Sequence, residues 1–157
     1  MNTKGFTLIE LLAVIVILAI ILLIAMPIVL DVINEARRGA FQSTGHGLVK
    51  TAENEYYRRS LDGATEEVFY VFEAGEQSVW DDTATPSDLG ELEFSGEAPD
   101  NGVIQVASNG EIEMYIHDGT YCVTTDAGDT AVEVEEEGEL DTCAAVTTLP
   151  EVSEFTE

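Results

Sequence analysis

Hydrophobic and polar positions alternate with three different rhythms along this chain. From Leu11 to Leu30 there is no rhythm at all: 20 residues run without a charge, with Pro27 the one helix breaker among them. At about 1.5 Å per residue such a run reaches roughly 30 Å, the thickness of a bilayer's hydrocarbon core. Beyond it, Phe41, Leu48, Ala52 and Tyr56 recur at offsets that keep them on one helical face. Asp62-Gly63 is a helix stop. The two stretches predict one helix from Phe6 to Leu61, roughly 84 Å long. Its first half is apolar all round and its second half is amphipathic. Pro27 removes a backbone hydrogen bond and predicts a kink or local loosening, while Gly39, Gly45 and Gly47 weaken the helix further.

After residue 62 the period falls to two. "VFYVFE", Val68 to Glu73, is β-branched and aromatic and predicts a strand. In "VIQVASNGEIEMYIHDGTYCVTT" the dipeptides Asn109-Gly110 and Asp118-Gly119 fall between alternating segments as hairpin turns. They predict a three-strand antiparallel meander over Val103–Ser108, Glu111–His117 and Thr120–Thr125. "TAVEVEEE" adds an edge strand whose acids discourage further pairing. Ala74 to Pro99 is expected to be a long loop with short strands, and Ala144 to Glu157 a flexible tail.

Charge divides the chain at the same place. All six basic residues, Lys4, Arg37, Arg38, Lys50, Arg58 and Arg59, lie before Ser60. Five of the 31 acids precede Ser60, so the remaining 26 lie beyond it with no Lys or Arg among them. Such a surface repels nucleic acid, and no nucleic-acid partner is expected. Arg37 and Arg38, close to Asp31 and Glu35, suit either salt bridges between packed helices or a solvated face. Cys122 and Cys143 permit a disulfide if this part is exported, enclosing 20 residues and contributing roughly 3 kcal/mol on the chain-entropy estimate. Two free, buried thiols are the alternative. No zinc spacing, phosphate-binding glycine loop or nucleophile elbow exists. His46 and His117 stand 71 residues apart and suit surface or packing roles. The chain is not expected to be an enzyme or to need a cofactor. Asp81-Asp82, or Asp126 with Asp129, offer oxygen ligands for Ca²⁺ but lack EF-hand spacing.

Glu10 is the residue out of place. A carboxylate in hydrocarbon costs roughly 2.5–3.5 kcal/mol or more, and such charges have partners. The run is too long for a secretory signal, and no A-x-A follows it. The small residue, Gly5, comes before the apolar run. A cut after Gly5 would create an amine at Phe6, four residues from Glu10, where the helix dipole also favours negative charge. Lys4-Gly5-Phe6-Thr7-Leu8-Ile9-Glu10 resembles the type III signal of type IV pilins and related pseudopilins: a short basic leader, then Gly, Phe, Thr, two apolar residues and Glu. Pro27 falls where that family commonly has a proline. The resemblance covers residues 1 to about 30.

The resemblance implies an α+β fold, in which a long N-terminal helix, membrane-spanning in one half and amphipathic in the other, packs on a small antiparallel sheet. It divides the chain into a cleaved leader (1–5), a transmembrane and filament-core segment (6–30), the amphipathic half of the helix (31–61) and an acidic β-sheet head with a flexible tail (62–157). It implies cleavage between Gly5 and Phe6 by a prepilin peptidase, N-methylation of Phe6, and pairing of Glu10 with the Phe6 amine of a neighbouring subunit during assembly; pairing of Glu10 with its own chain's amine alone is the alternative. Implied partners are the peptidase, the assembly platform and its ATPase machinery, the membrane before assembly, and further copies of the chain in a helical homopolymer. The expected location is the cytoplasmic membrane, leader inside and head outside, followed by an extracellular filament. In related pili a stretch before the proline is thought to melt on assembly, here roughly Ala19 to Pro27. The leading expectation is a major pilin for adhesion or motility. A pseudopilin of a type II secretion or competence machine is the near alternative, and a membrane-anchored enzyme or sensor the distant one.

Overall fold

The computed structural model describes residues 5–81, 86–87, 89–126, 128 and 132–136. One helix, α1 (Leu8–Leu61), precedes six strands: β1 (Val68–Glu73), β2 (Glu76–Asp81), β3 (Asn101–Val106), β4 (Ile112–His117), β5 (Tyr121–Thr125) and β6 (Glu133–Glu136). The chain divides into two compact units, residues 1–37 and 38–157.

The first unit carries the apolar run. It is helical throughout from Leu8, and Pro27 lies inside α1 without ending it. The segment before Pro27 is therefore helical in the single subunit. Its best window has a mean hydropathy of 3.4, and none of that window is buried within the protein. Side chains pointing in every direction, from Leu11 and Leu12 to Val29 and Leu30, stand exposed. An isolated helix gains nothing from such a surface in water; it needs lipid or other helices around it.

The second unit is a helix on a sheet. The sheet has the order β2-β1-β3-β4-β5-β6, with every neighbouring pair antiparallel. Alternation along the strands sends Tyr70, Phe72, Ile104, Met114, Ile116 and Val123 to one face, where they meet Phe41, Leu48, Val49 and Ala52 of α1 in a single core. Tyr56 packs against that core and donates its hydroxyl to the Ser108 carbonyl at 3.3 Å. On the opposite face Phe69, Val71 and Val103 form a small cluster with Trp80. The expected helical face thus meets the expected strands.

The helix ends where Asp62-Gly63 predicts. Gly63 has φ +83°, its N–H bonds the Ser60 carbonyl, and the Ala64 N–H reaches back to the Arg59 carbonyl. This is the Schellman arrangement, which satisfies carbonyls that have no partner further along the helix.

One sequence expectation needs correction and two are made more specific. The helix begins at Leu8 rather than Phe6. Ala74 to Pro99 holds a full strand, β2, joined to β1 by the two-residue turn Ala74-Gly75. Both turn residues have positive φ, +51° and +81°, the geometry that matches strand twist in a tight hairpin. The connection that follows is anchored as well: Leu92 is buried, Leu89 and Phe94 pack on the core, and Pro86 bridges to Trp80. Gly45, third, is not merely a weak point in the helix. A Cβ there would lie 2.6 Å from Val123 Cγ1 and 3.1 Å from Val132 Cγ1, so glycine sets how closely the helix approaches the sheet.

Gly45→Ala is therefore expected to destabilise the head by about 1–3 kcal/mol through overpacking. Gly47→Ala, where a Cβ meets nothing within 4 Å, is expected to stabilise by about 0.5–1 kcal/mol through helix propensity. Urea unfolding of the two variants in detergent should show midpoints shifted in opposite directions.

β6 lies at the sheet edge, as the acidic alternating segment predicts. Two helix side chains hold the backbone there: Gln42 donates to the Val132 carbonyl at 3.1 Å and Arg38 to the Val134 carbonyl at 3.0 Å. Arg38 thus has an intramolecular role that its charge alone does not suggest.

Candidate functional site at the start of the helix

Gly5 and Phe6 precede the helix, both exposed and in neither helix nor strand. A Cβ at Gly5 would meet nothing within 4 Å, so the fold itself makes no demand for glycine there. The leader residues 1–4 lie outside the described residues.

Thr7 and Glu10 form a reciprocal cap. The Glu10 N–H bonds the Thr7 carbonyl at 3.2 Å and the Thr7 hydroxyl oxygen at 3.3 Å. In return, one Glu10 carboxylate oxygen accepts from the Thr7 N–H at 3.3 Å and from the Thr7 hydroxyl at 3.1 Å. This is a capping box, in which Thr at the cap and Glu three residues on satisfy each other's backbone donors. It also places a carboxylate at the positive end of the helix dipole. Glu10 therefore has a partner inside one chain, and that partner is not a cation. The signal was present in the sequence as Thr-x-x-Glu before an apolar run.

The remaining sequence candidates lie elsewhere. Pro27 lies in the apolar part of α1, beside a shallow depression lined by Ala19, Leu22, Leu23, Met26 and Leu30. Cys122 is buried in β5 and disulfide-bonded; Cys143, its expected partner, lies outside the described residues. Asp81 ends β2 and Asp126 follows β5. Their suggested companions for Ca²⁺, Asp82 and Asp129, are outside the described residues. Among the described residues no group of three His, Cys, Asp or Glu side chains could hold a metal. His46 is exposed on α1, and His117 Nδ1 accepts from the Gly119 N–H at 3.3 Å within the β4–β5 turn.

Sequence reasoning did not single out a buried polar pair under the helix end. Arg59 is 6% exposed and donates to the Glu66 carbonyl at 2.7 Å. Its Nε and Nη1, and the hydroxyl of the fully buried Tyr70, have no hydrogen-bond partner among the described residues. Burial pushes the Tyr70 phenol up from 10.0 to about 12; Glu55 adds to the shift, and Arg59 and Arg58 oppose it. The folded head thus holds this proton more tightly than the unfolded chain does. Its contribution to stability is full below about pH 10 and is lost as pH rises towards about 12, at about 1.4 kcal/mol per pH unit. Urea midpoints across that window should fall for the native chain and fall less steeply for Tyr70→Phe.

The family model for the prokaryotic N-terminal methylation motif matches residues 1–26. The chain therefore carries a type IV prepilin-like signal, and the motif's span takes in Gly5, Phe6, Thr7 and Glu10. This motif supports a type IV pilin-like or pseudopilin protein. It implies processing by a peptidase and assembly in a pilus or secretion system. With the exposed apolar helix, it fits membrane anchoring before assembly. No curated protein and no solved structure matches the chain.

Proposed function

We propose that this chain is a structural subunit, not an enzyme: the major pilin of an extracellular type IV filament used in adhesion or motility. The observation that carries the reading is the methylation motif on a helix that is apolar on every side and continues into a helix-on-sheet head. A peptidase cuts between Gly5 and Phe6 and the new amine is methylated. The apolar helix waits in the membrane and then passes into the filament core, where other helices replace lipid. Each subunit meets the next head to tail, so the contact does not close and the polymer grows as an open helix. Glu10 then pairs with the Phe6 amine of a neighbour. The head needs no cofactor in this role, and the 26 acids beyond Ser60, with no Lys or Arg among them, keep nucleic acid off the filament surface.

Mass spectrometry of filaments sheared from cells tests the reading. The expected species begins at methylated Phe6, and Gly5→Val leaves the full-length chain in the membrane with no filaments. Filaments whose subunits retain Met1 would overturn it.

A further inference from the structure

We infer that a depression beside the β1–β2 hairpin receives Arg37 of a second copy of this chain. The inference rests on the reading of the chain as a filament subunit, which sets copies side by side. The depression, about 470 Å³, is lined by Phe72, Glu76, Glu91, Leu92 and Phe94 among others. Phe94 is half-buried, and Phe72 meets it edge to face at 6.0 Å and 80°. Glu76 and Glu91 are exposed, and neither forms an ion pair among the described residues.

Two carboxylates without a cation, beside an aromatic ring and the buried Leu92, suit a cation with flat apolar faces. A guanidinium is such a group: its edge donates to carboxylates while its face lies on a ring. An exposed ion pair alone contributes little. A ring that excludes water from one side of the cation strengthens the contact.

Elimination names the cation. Beyond Ser60 there is no Lys or Arg. Lys50 pairs with Glu53 at 2.7 Å and Arg58 with Glu55 at 2.6 Å. Arg38 and Arg59 donate to the backbone carbonyls of Val134 and Glu66. Lys4 belongs to the leader, which the proposed cleavage removes. Arg37 remains, exposed and without a hydrogen bond or ion pair among the described residues. It stands seven residues past Leu30, where the apolar run ends, so it lies clear of the hydrocarbon core. Chains with 26 acids and no cation beyond Ser60 repel one another. Seating a cation of one copy among carboxylates of the next offsets that repulsion where the copies touch.

The test uses cells that assemble the native chain. Arg37→Glu is expected to lower filament yield about tenfold, because like charges then face each other across the contact. Adding Glu76→Lys and Glu91→Lys to the same chain is expected to restore the yield, since the pair is rebuilt with its signs reversed. Contact between copies is read separately. Chains with Arg37→Cys and tagged chains with Glu91→Cys are expressed together beside the native chain, and oxidised filaments are expected to hold a cross-linked pair of one tagged and one untagged chain. Arg37→Glu filaments in native number would overturn the inference and leave the filament reading intact. So would the absence of the mixed pair, or a loss of yield that the swap does not restore, the arginine then serving phospholipid headgroups beside the membrane run. A native chain that forms no filaments would instead remove the reading on which the inference stands.

Discussion

Glu10→Gln is expected to be cut after Gly5 at the native rate and then to remain in the membrane, with filaments nearly absent. The substitution separates two roles that alanine would remove together. Glutamine at this position still completes the capping box with Thr7, because the motif accepts Glu or Gln. The start of the helix should be unchanged. The charge is gone, however. In the single subunit the Glu10 carboxylate is held by a backbone N–H and a hydroxyl, both neutral donors. An amine brought up by a neighbouring chain offers a charge-assisted bond, about twice as strong as a neutral one. On the proposed reading, that difference in a medium without water draws two subunits into register. Electron microscopy counts the filaments, and the mass of the membrane-bound chain reports cleavage. A filament yield from the Glu10→Gln strain equal to that of the native strain, with both chains fully processed, would show that the charge is not used in assembly.

Gly102→Ala is expected to cost about 3–5 kcal/mol, in the range reserved for changes the surrounding structure cannot absorb. Gly102 sits in β3 opposite Ile116 of β4 with φ +148°, a backbone angle that side chains rarely adopt. A Cβ there would strike the Tyr115 carbonyl oxygen and come within 2.6 Å of the Ile116 Cα. Both are backbone atoms in the interior of the sheet, so no rotamer change relieves the clash. The two strands must separate or the register must slip, and a one-residue slip turns the core face outward. Thermal unfolding of the variant in detergent, beside Gly45→Ala, ranks the two. A Gly102→Ala chain no less stable than Gly45→Ala would contradict the backbone argument.

How much of this was legible in the sequence depended on the strength of the local signal. Asn109-Gly110 and Asp118-Gly119 are strong turn dipeptides, and the strands around them were readable because polar and apolar residues alternate cleanly. Ala74-Gly75 makes an equally tight turn, but alanine at φ +51° is uncommon, so composition gives no warning of it. β2 itself, "EQSVWD", lies at the sheet edge with little of its side-chain surface in the core. It is held by its ladder with β1, and that pairing is not written into its own residues. Gly45 and Gly102 look alike as letters. Only the positions of Val123 and Ile116, brought near by the fold, distinguish a glycine that is required from one like Gly47 that is not. At the start of the helix the opposite happened. Thr7 and Glu10 are close enough in the chain for their cap to be read directly, yet a carboxylate in an apolar run suggests a positive partner first and a hydroxyl only second.

The two ends of the sheet bear on how such a protein survives crowding. Chains gathered in a membrane at high density present their heads to one another constantly, and a bare strand edge is a template for stacking into insoluble fibres. Neither edge here is bare along its whole length. The Ser87 N–H already occupies the Val79 carbonyl of β2, and Pro86 bridges to Trp80. At the other end, Gln42 and Arg38 occupy the carbonyls of Val132 and Val134. Association of the heads by strand addition is thereby discouraged, and on the proposed reading as a filament subunit the sheet is kept out of a competing, irreversible route.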